Sequence, residues 1–176
     1  MTETRQFDSD LEIRAAGDGR TIVGIAVPYN KEQRINSQLT EVFRPGAFAA
    51  VTRAAHRVKL LVGHDHQALP IGRATLLRED AAGLHAEFYV SKTDRGDQVL
   101  ELVRDGALDQ LSIGFLSLKD NRLASGVVER IKAHLAEVSL VTFGAYGEMA
   151  AVSGMREEST TPNRDAVELL LKDLAR

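Results

Sequence analysis

The stretch LDQLSIGFLSL, residues 108–118, alternates Leu111, Ile113 and Phe115 with Ser112 and Gly114. A period of two constrains it to a strand with one apolar face. The opposite face then pairs a hydroxyl with a residue that has no side chain, leaving space for another backbone to lie close. Read plainly, this is a glycine kink beside a serine bonded to a neighbouring carbonyl. The serine gains chemical interest only where a base is within reach.

The rest of the chain is organised around similar short strands. LEIRA (11–15) and RTIVGIAVPY (20–29) flank a Gly/Asp turn and predict a hairpin, with Pro28 at its end or edge. PIGRATLLRED and GLHAEFYVS flank DAAG and predict a second hairpin. Residues 30–40 read as a loop, and 41–55 as an extended start passing into a helix opened near Pro45. RVKLLVGHDH (57–66) reads as a strand running into a loop. Thr93 or Asp94 caps a predicted helix to about Asp105, with Val99, Leu102 and Val103 on one side and Gly106 as its stop. Strands are predicted at 110–119, about 126–133 and 135–142. A polar linker at 153–162 leads to a helix at 163–176, with Val167, Leu170, Leu171 and Leu174 as its apolar stripe. The expected architecture is α+β: a mostly antiparallel β-barrel surrounded by helices, with a C-terminal helical tail. Residues 1–152 form the predicted main domain and 153–176 the appendage.

Composition narrows the function classes. The chain of 176 residues has no Cys, so disulfides and thiolate metal sites are excluded. A net charge of −3 offers no basic field for nucleic acid. No apolar run reaches the roughly 18 residues that a membrane helix needs, and the N-terminus lacks a secretory pattern.

Three groups could carry chemistry. Ser112 is the first. His64, after a glycine at a predicted strand end, is the second; strand ends commonly open on a shared cleft. His64, Asp65 and His66 could instead contribute to a metal site, given further ligands from elsewhere. Glu137 interrupts an apolar strand, where a carboxylate is costly unless paired. It is either an exposed edge charge or the acceptor that orients a histidine. Gly144 and Gly147 follow that strand and could present backbone N–H groups to an oxyanion. No GxSxG elbow is present.

Five segments in order carry a resemblance: FRPGAF (43–48), LLVGHDHQALPIGR (60–73), EDAAGLHAEF (79–88), LVRDGALDQLSIGF (102–115) and LAEVSLVTFGA (135–145). Together they resemble the HK97-type prohead maturation proteases of tailed bacteriophages, a family related in fold to the herpesvirus assemblins. The resemblance implies an assemblin-like fold and a serine protease with Ser112 as nucleophile, His64 as general base and Glu137 as orienting acid. Glu137 falls where the assemblins carry a second histidine. Asp65 is a rival acid, but an adjacent residue on extended chain points away from His64. His66, His85 and His134 are read as structural or solvated. Gly114 would leave the floor open for an extended peptide. After the third strand this chain has FGAYG where the family often has a Pro-Ala pair, leaving the Ala145 and Tyr146 N–H groups, with Gly144, as oxyanion candidates.

The same resemblance implies no cofactor and no metal. Its expected substrate is the scaffolding segment of the major capsid protein, or a separate scaffold, cut inside the procapsid in the bacterial host cytoplasm. Self-cleavage, a homodimer, and no direct contact with nucleic acid or membrane are also expected. The C-terminal helix fits a detachable targeting tail, a helix packed on its own domain or a dimer contact. A non-catalytic assembly factor on the same fold and a metal-dependent hydrolase are the alternatives.

Overall fold

The computed structural model describes residues 2–7, 11–14 and 18–142. The strands are β1 (Glu3–Phe7), β2 (Glu12–Arg14), β3 (Thr21–Pro28), β4 (Gln33–Arg34), β5 (Thr40–Phe43), β6 (Lys59–Val62), β7 (Gly72–Glu79), β8 (Gly83–Val90), β9 (Gln110–Arg122) and β10 (Val128–Val141). The helices are α1 (Ala49–Thr52), a 3-10 turn at Ala55–Arg57, and α2 (Asp94–Arg104).

All ten strands join one sheet, with the main order β1-β9-β10-β6-β7-β8-β3-β2. Most neighbours are antiparallel, and both expected hairpins form: β2 with β3, and β7 with β8. Strand β10 is the exception. Antiparallel β9 lines one side of it, while β6 and β5 pair in tandem along the other side, both parallel to it. Strand β3 comes close to β1 and β9 although four strands lie between β3 and β9 in the sheet order. The sheet is therefore curled into a half-barrel.

The expectation of a barrel surrounded by helices is corrected to this open curled sheet with few helices among the described residues. Helix α1 is only 4 residues long, far shorter than the helix expected over 45–55. Part of the predicted loop at 30–40 pairs as β4 with β5. The two strands expected at 126–133 and 135–142 are one continuous strand. Helix α2 forms where its cap predicted, with Thr93 accepting from the Gly96 N–H at 3.1 Å. It buries Val99 and Leu100 with Val103 packed nearby, whereas Leu102 faces out at 42% exposure. The 153–176 appendage, its helix and the 152/153 boundary lie outside the described residues.

The core collects the apolar alternates of the strands. Leu111, Ile113 and Phe115 of β9 stand opposite Leu140, Val138 and Leu135 of β10 and are fully buried. Phe43 joins this layer, stacked on Phe48 with centroids 5.5 Å apart and edge-on to Phe115 at 5.2 Å.

The pairing of β9 with β10 is irregular at one point that decides where a carboxylate faces. Leu135 opposes Phe115, yet Glu137, two residues on, opposes Gly114, the next residue of β9. One extra residue of β10, Ala136, is accommodated there as a bulge. Without it Leu135 and Glu137 would share a face, because side chains alternate. With it Leu135 stays in the core and Glu137 turns to the face of Gly114 and Ser112.

Candidate active site

On that face β9 and β10 present four residues in two cross-strand pairs: Ser112 opposite Ser139, and Gly114 opposite Glu137. The remaining partner comes from the end of β6. Gly63 and His64 both have left-handed backbones, with φ of 62° and 57°. For a residue with a side chain this conformation costs about 1–2 kcal/mol. The turn is held by Gly63 N–H donating to the Leu140 carbonyl at 2.9 Å, Asp65 N–H to Val62 at 3.2 Å, and His64 N–H to the Ser139 hydroxyl at 3.1 Å.

This turn lays the imidazole over the face of β9 and β10. His64 Nδ1 lies 2.6 Å from Glu137 Oε1, and Nε2 lies 2.6 Å from Ser112 Oγ. An ionised carboxylate only accepts, so Nδ1 carries the proton facing Glu137 and Nε2 offers its lone pair to the Ser112 hydroxyl. Glu137 Oε2 accepts from Ser139 at 2.9 Å. Ser112, Glu137 and Ser139 are 2%, 3% and 0% exposed, whereas the His64 side chain is 23% exposed. Burying an ionised carboxyl is costly unless its oxygens are bonded, and both Glu137 oxygens have a donor.

Gly114 lies against the acid. A Cβ built there would lie 2.4 Å from Glu137 Oε1. The Cβ position it leaves open is filled by the acid.

The Ser112 hydroxyl has a second acceptor, the Arg5 carbonyl of β1, at 3.1 Å. Strand β1 is fastened there by a buried charge cluster. The Arg5 and Arg130 guanidinium groups both bond the fully buried Glu41 carboxylate, and Glu3 and Asp120 complete the set. The Phe115 ring stands against both cations, 5.4 Å and 5.6 Å from centroid to guanidinium carbon. Burial opposes the Arg130 charge, but Glu41, Glu3 and Asp120 outweigh it and raise its pKa above the usual value.

The other named residues do not join this face. The Asp65 carboxylate accepts from the Gln67 and Ala68 N–H groups at 3.0 and 3.1 Å, closing its own loop. His66 and His134 are exposed. His85 pairs with Asp80 at 2.8 Å. Gly144, Ala145 and Tyr146 lie outside the described residues. Ser139 was missed in the sequence, although it is the strand alternate of Glu137 and the same period of two that flagged Ser112 points to it. The Arg5 contact uses a backbone carbonyl, for which no side-chain pattern exists.

The class of protein is a serine protease on a curled, mostly antiparallel sheet. A family model described as Caudovirus prohead serine protease matches residues 9–163, and the chain belongs to that family of phage capsid-maturation proteases. It is similar to the prohead protease of Enterobacteria phage HK97, 27% identical over 177 residues that cover 98% of this chain and 77% of that one. Its fold is similar to the capsid assembly protease gp21 of bacteriophage T4, with a TM-score of 0.58 and 10% identity, over 80% of this chain and 96% of that one. No helix among the described residues is long and apolar enough to cross a membrane.

Proposed function

We propose that the chain is a serine endopeptidase that uses Ser112, His64 and Glu137 to cut the scaffolding segment of the major capsid protein, or a separate scaffold, inside the procapsid. The observation that carries this reading is the continuous hydrogen-bonded series from the Ser112 hydroxyl through both His64 nitrogens to the Glu137 carboxylate. Family membership supplies the substrate class.

The chemistry follows from the residue types. A serine hydroxyl is a poor nucleophile near neutral pH. As Ser112 Oγ attacks the scissile carbonyl carbon, its proton passes to His64 Nε2. The imidazolium then carries a proton on each nitrogen, and Glu137 stabilises it through Nδ1. His64 returns the new proton to the leaving amine as the peptide C–N bond breaks, leaving an acyl ester on Ser112. Water, deprotonated by the same imidazole, hydrolyses the ester and restores the hydroxyl. Gly144, Ala145 and Tyr146 remain candidate donors for the oxyanion of both steps. The enzyme also cuts itself within residues 151–162, and it works as a homodimer without cofactor, nucleic acid or membrane.

Co-expression with the major capsid protein of the same phage tests this. The wild type yields a shortened capsid protein and Ser112→Ala leaves it full length. A full-length protein in both lysates would favour an assembly factor on the same fold.

A further inference from the structure

We propose that Ser139 is a positioning residue for this reaction, acting through Glu137 and His64; the inference rests on the proposed triad. Its hydroxyl has one proton, and that proton is donated to Glu137 Oε2. Its oxygen also accepts the backbone N–H of His64. One fully buried group therefore bonds the acid on one side and the chain of the base on the other.

Each bond has a separate consequence. The bond to Oε2 fixes the rotation of the carboxylate, so that Oε1 faces Nδ1. It also shares the negative charge with a second donor. The bond from His64 N–H holds the left-handed turn that aims the ring at Ser112. Ser139 sits directly across the ladder from Ser112, so both bonds are referred to the strand that carries the nucleophile. Supports of this kind set the precision of a site, and a misplacement of about 1 Å can cost about 100-fold in rate.

The other charged groups near His64 are engaged elsewhere. The Asp65 carboxylate bonds the Gln67 and Ala68 N–H groups. Lys59, beside Glu137 in the parallel ladder, donates to the His56 carbonyl at 3.1 Å. Glu137 is thus the charge that the imidazole meets. Removing the Ser139 donor frees the carboxylate to rotate, so that Oε1 no longer faces Nδ1 in one fixed orientation.

The rate at which a fluorophosphonate probe labels Ser112 tests this without a known cleavage site. In Ser139→Ala the rate falls by about 10-fold or more. Ser139→Cys keeps the shape with a weak donor and follows alanine. Ser139→Thr keeps the hydroxyl and recovers most of the rate. Unfolding midpoints are measured alongside, and Ser139→Cys carries the test if the alanine variant does not fold. Wild-type rate in the cysteine variant would overturn the role of Ser139 alone. Equal labelling of wild type and Ser112→Ala would instead overturn the nucleophile.

Discussion

Glu137 occupies the space that Gly114 leaves empty: a Cβ on residue 114 would stand 2.4 Å from Glu137 Oε1. No Cβ tolerates that approach, so an alanine must displace the carboxylate that meets His64. The strand itself can accept an alanine at this position, because residue 114 needs no left-handed backbone. Gly114→Ala is expected to lower fluorophosphonate labelling of Ser112 by about 100-fold or more. Its rate should resemble that of Glu137→Gln, and its circular dichroism should remain native. Wild-type labelling by Gly114→Ala would mean that the carboxylate can leave without consequence.

Glu41 neutralises two buried cations at once, Arg5 on β1 and Arg130 on β10. Removing it leaves two guanidinium groups against an apolar ring with only Glu3 and Asp120 to answer them. Glu41→Ala is expected to cost about 3–5 kcal/mol of stability in urea unfolding. The exposed Glu32→Ala should stay within about 0.5 kcal/mol of wild type. A small effect at Glu41 would show that water reaches the cluster and replaces the ion pairs.

Asp80 closes the β7–β8 turn, accepting from the Ala82 N–H at 2.9 Å and the Gly83 N–H at 3.3 Å. The Ala82 N–H first, and then His85, hold its carboxyl down at about 2, against an ordinary 3.8. The folded state therefore binds this proton less readily than the unfolded chain. The stability Asp80 adds is complete above about pH 4 and is lost as pH falls through about 2. Melting midpoints from pH 5 to 2 should fall more steeply for the wild type than for Asp80→Asn. Parallel curves would contradict the assignment.

Self-cleavage in the polar segment predicts a mass change. After incubation, intact mass spectrometry of the wild type should report loss of the C-terminus by a cut within residues 151–162. Ser112→Ala should keep its full mass. Equal loss in both would place the cut with a contaminating protease.

Local pattern carried a large part of the fold. Hairpin β7–β8 was legible because Asp80 and Gly83 bracket a turn between alternating runs, and α2 because Thr93 caps it. Each is decided within a few residues of chain. Strand β1 was not legible. Its place depends on Arg5 meeting Glu41, 36 positions away in the chain, a carboxylate that Arg130 bonds as well. The helix expected over 45–55 failed for a similar reason. Its residues turn early so that Phe48 can stack on Phe43 in the core, and the Phe48 N–H bonds the Glu79 carboxylate at 3.0 Å instead of continuing a helix.

The amino-acid order alone specified which groups are available: a hydroxyl beside a bare backbone position at 112 and 114, an imidazole at a strand end, and a carboxylate inside an apolar run. It also specified their faces wherever the alternation is unbroken, since side-chain direction along a strand follows from backbone geometry. Their convergence was left to the assembled sheet. Alternation across Ala136 would have kept Glu137 on the side of Leu135, in the core; the bulge against β9 reverses it. The turn at Gly63 and His64 is likewise held by Leu140 and Ser139 from another strand. Bulges and left-handed turns are set by the partner strand as much as by the residues that adopt them, so they come into being only when the strands meet.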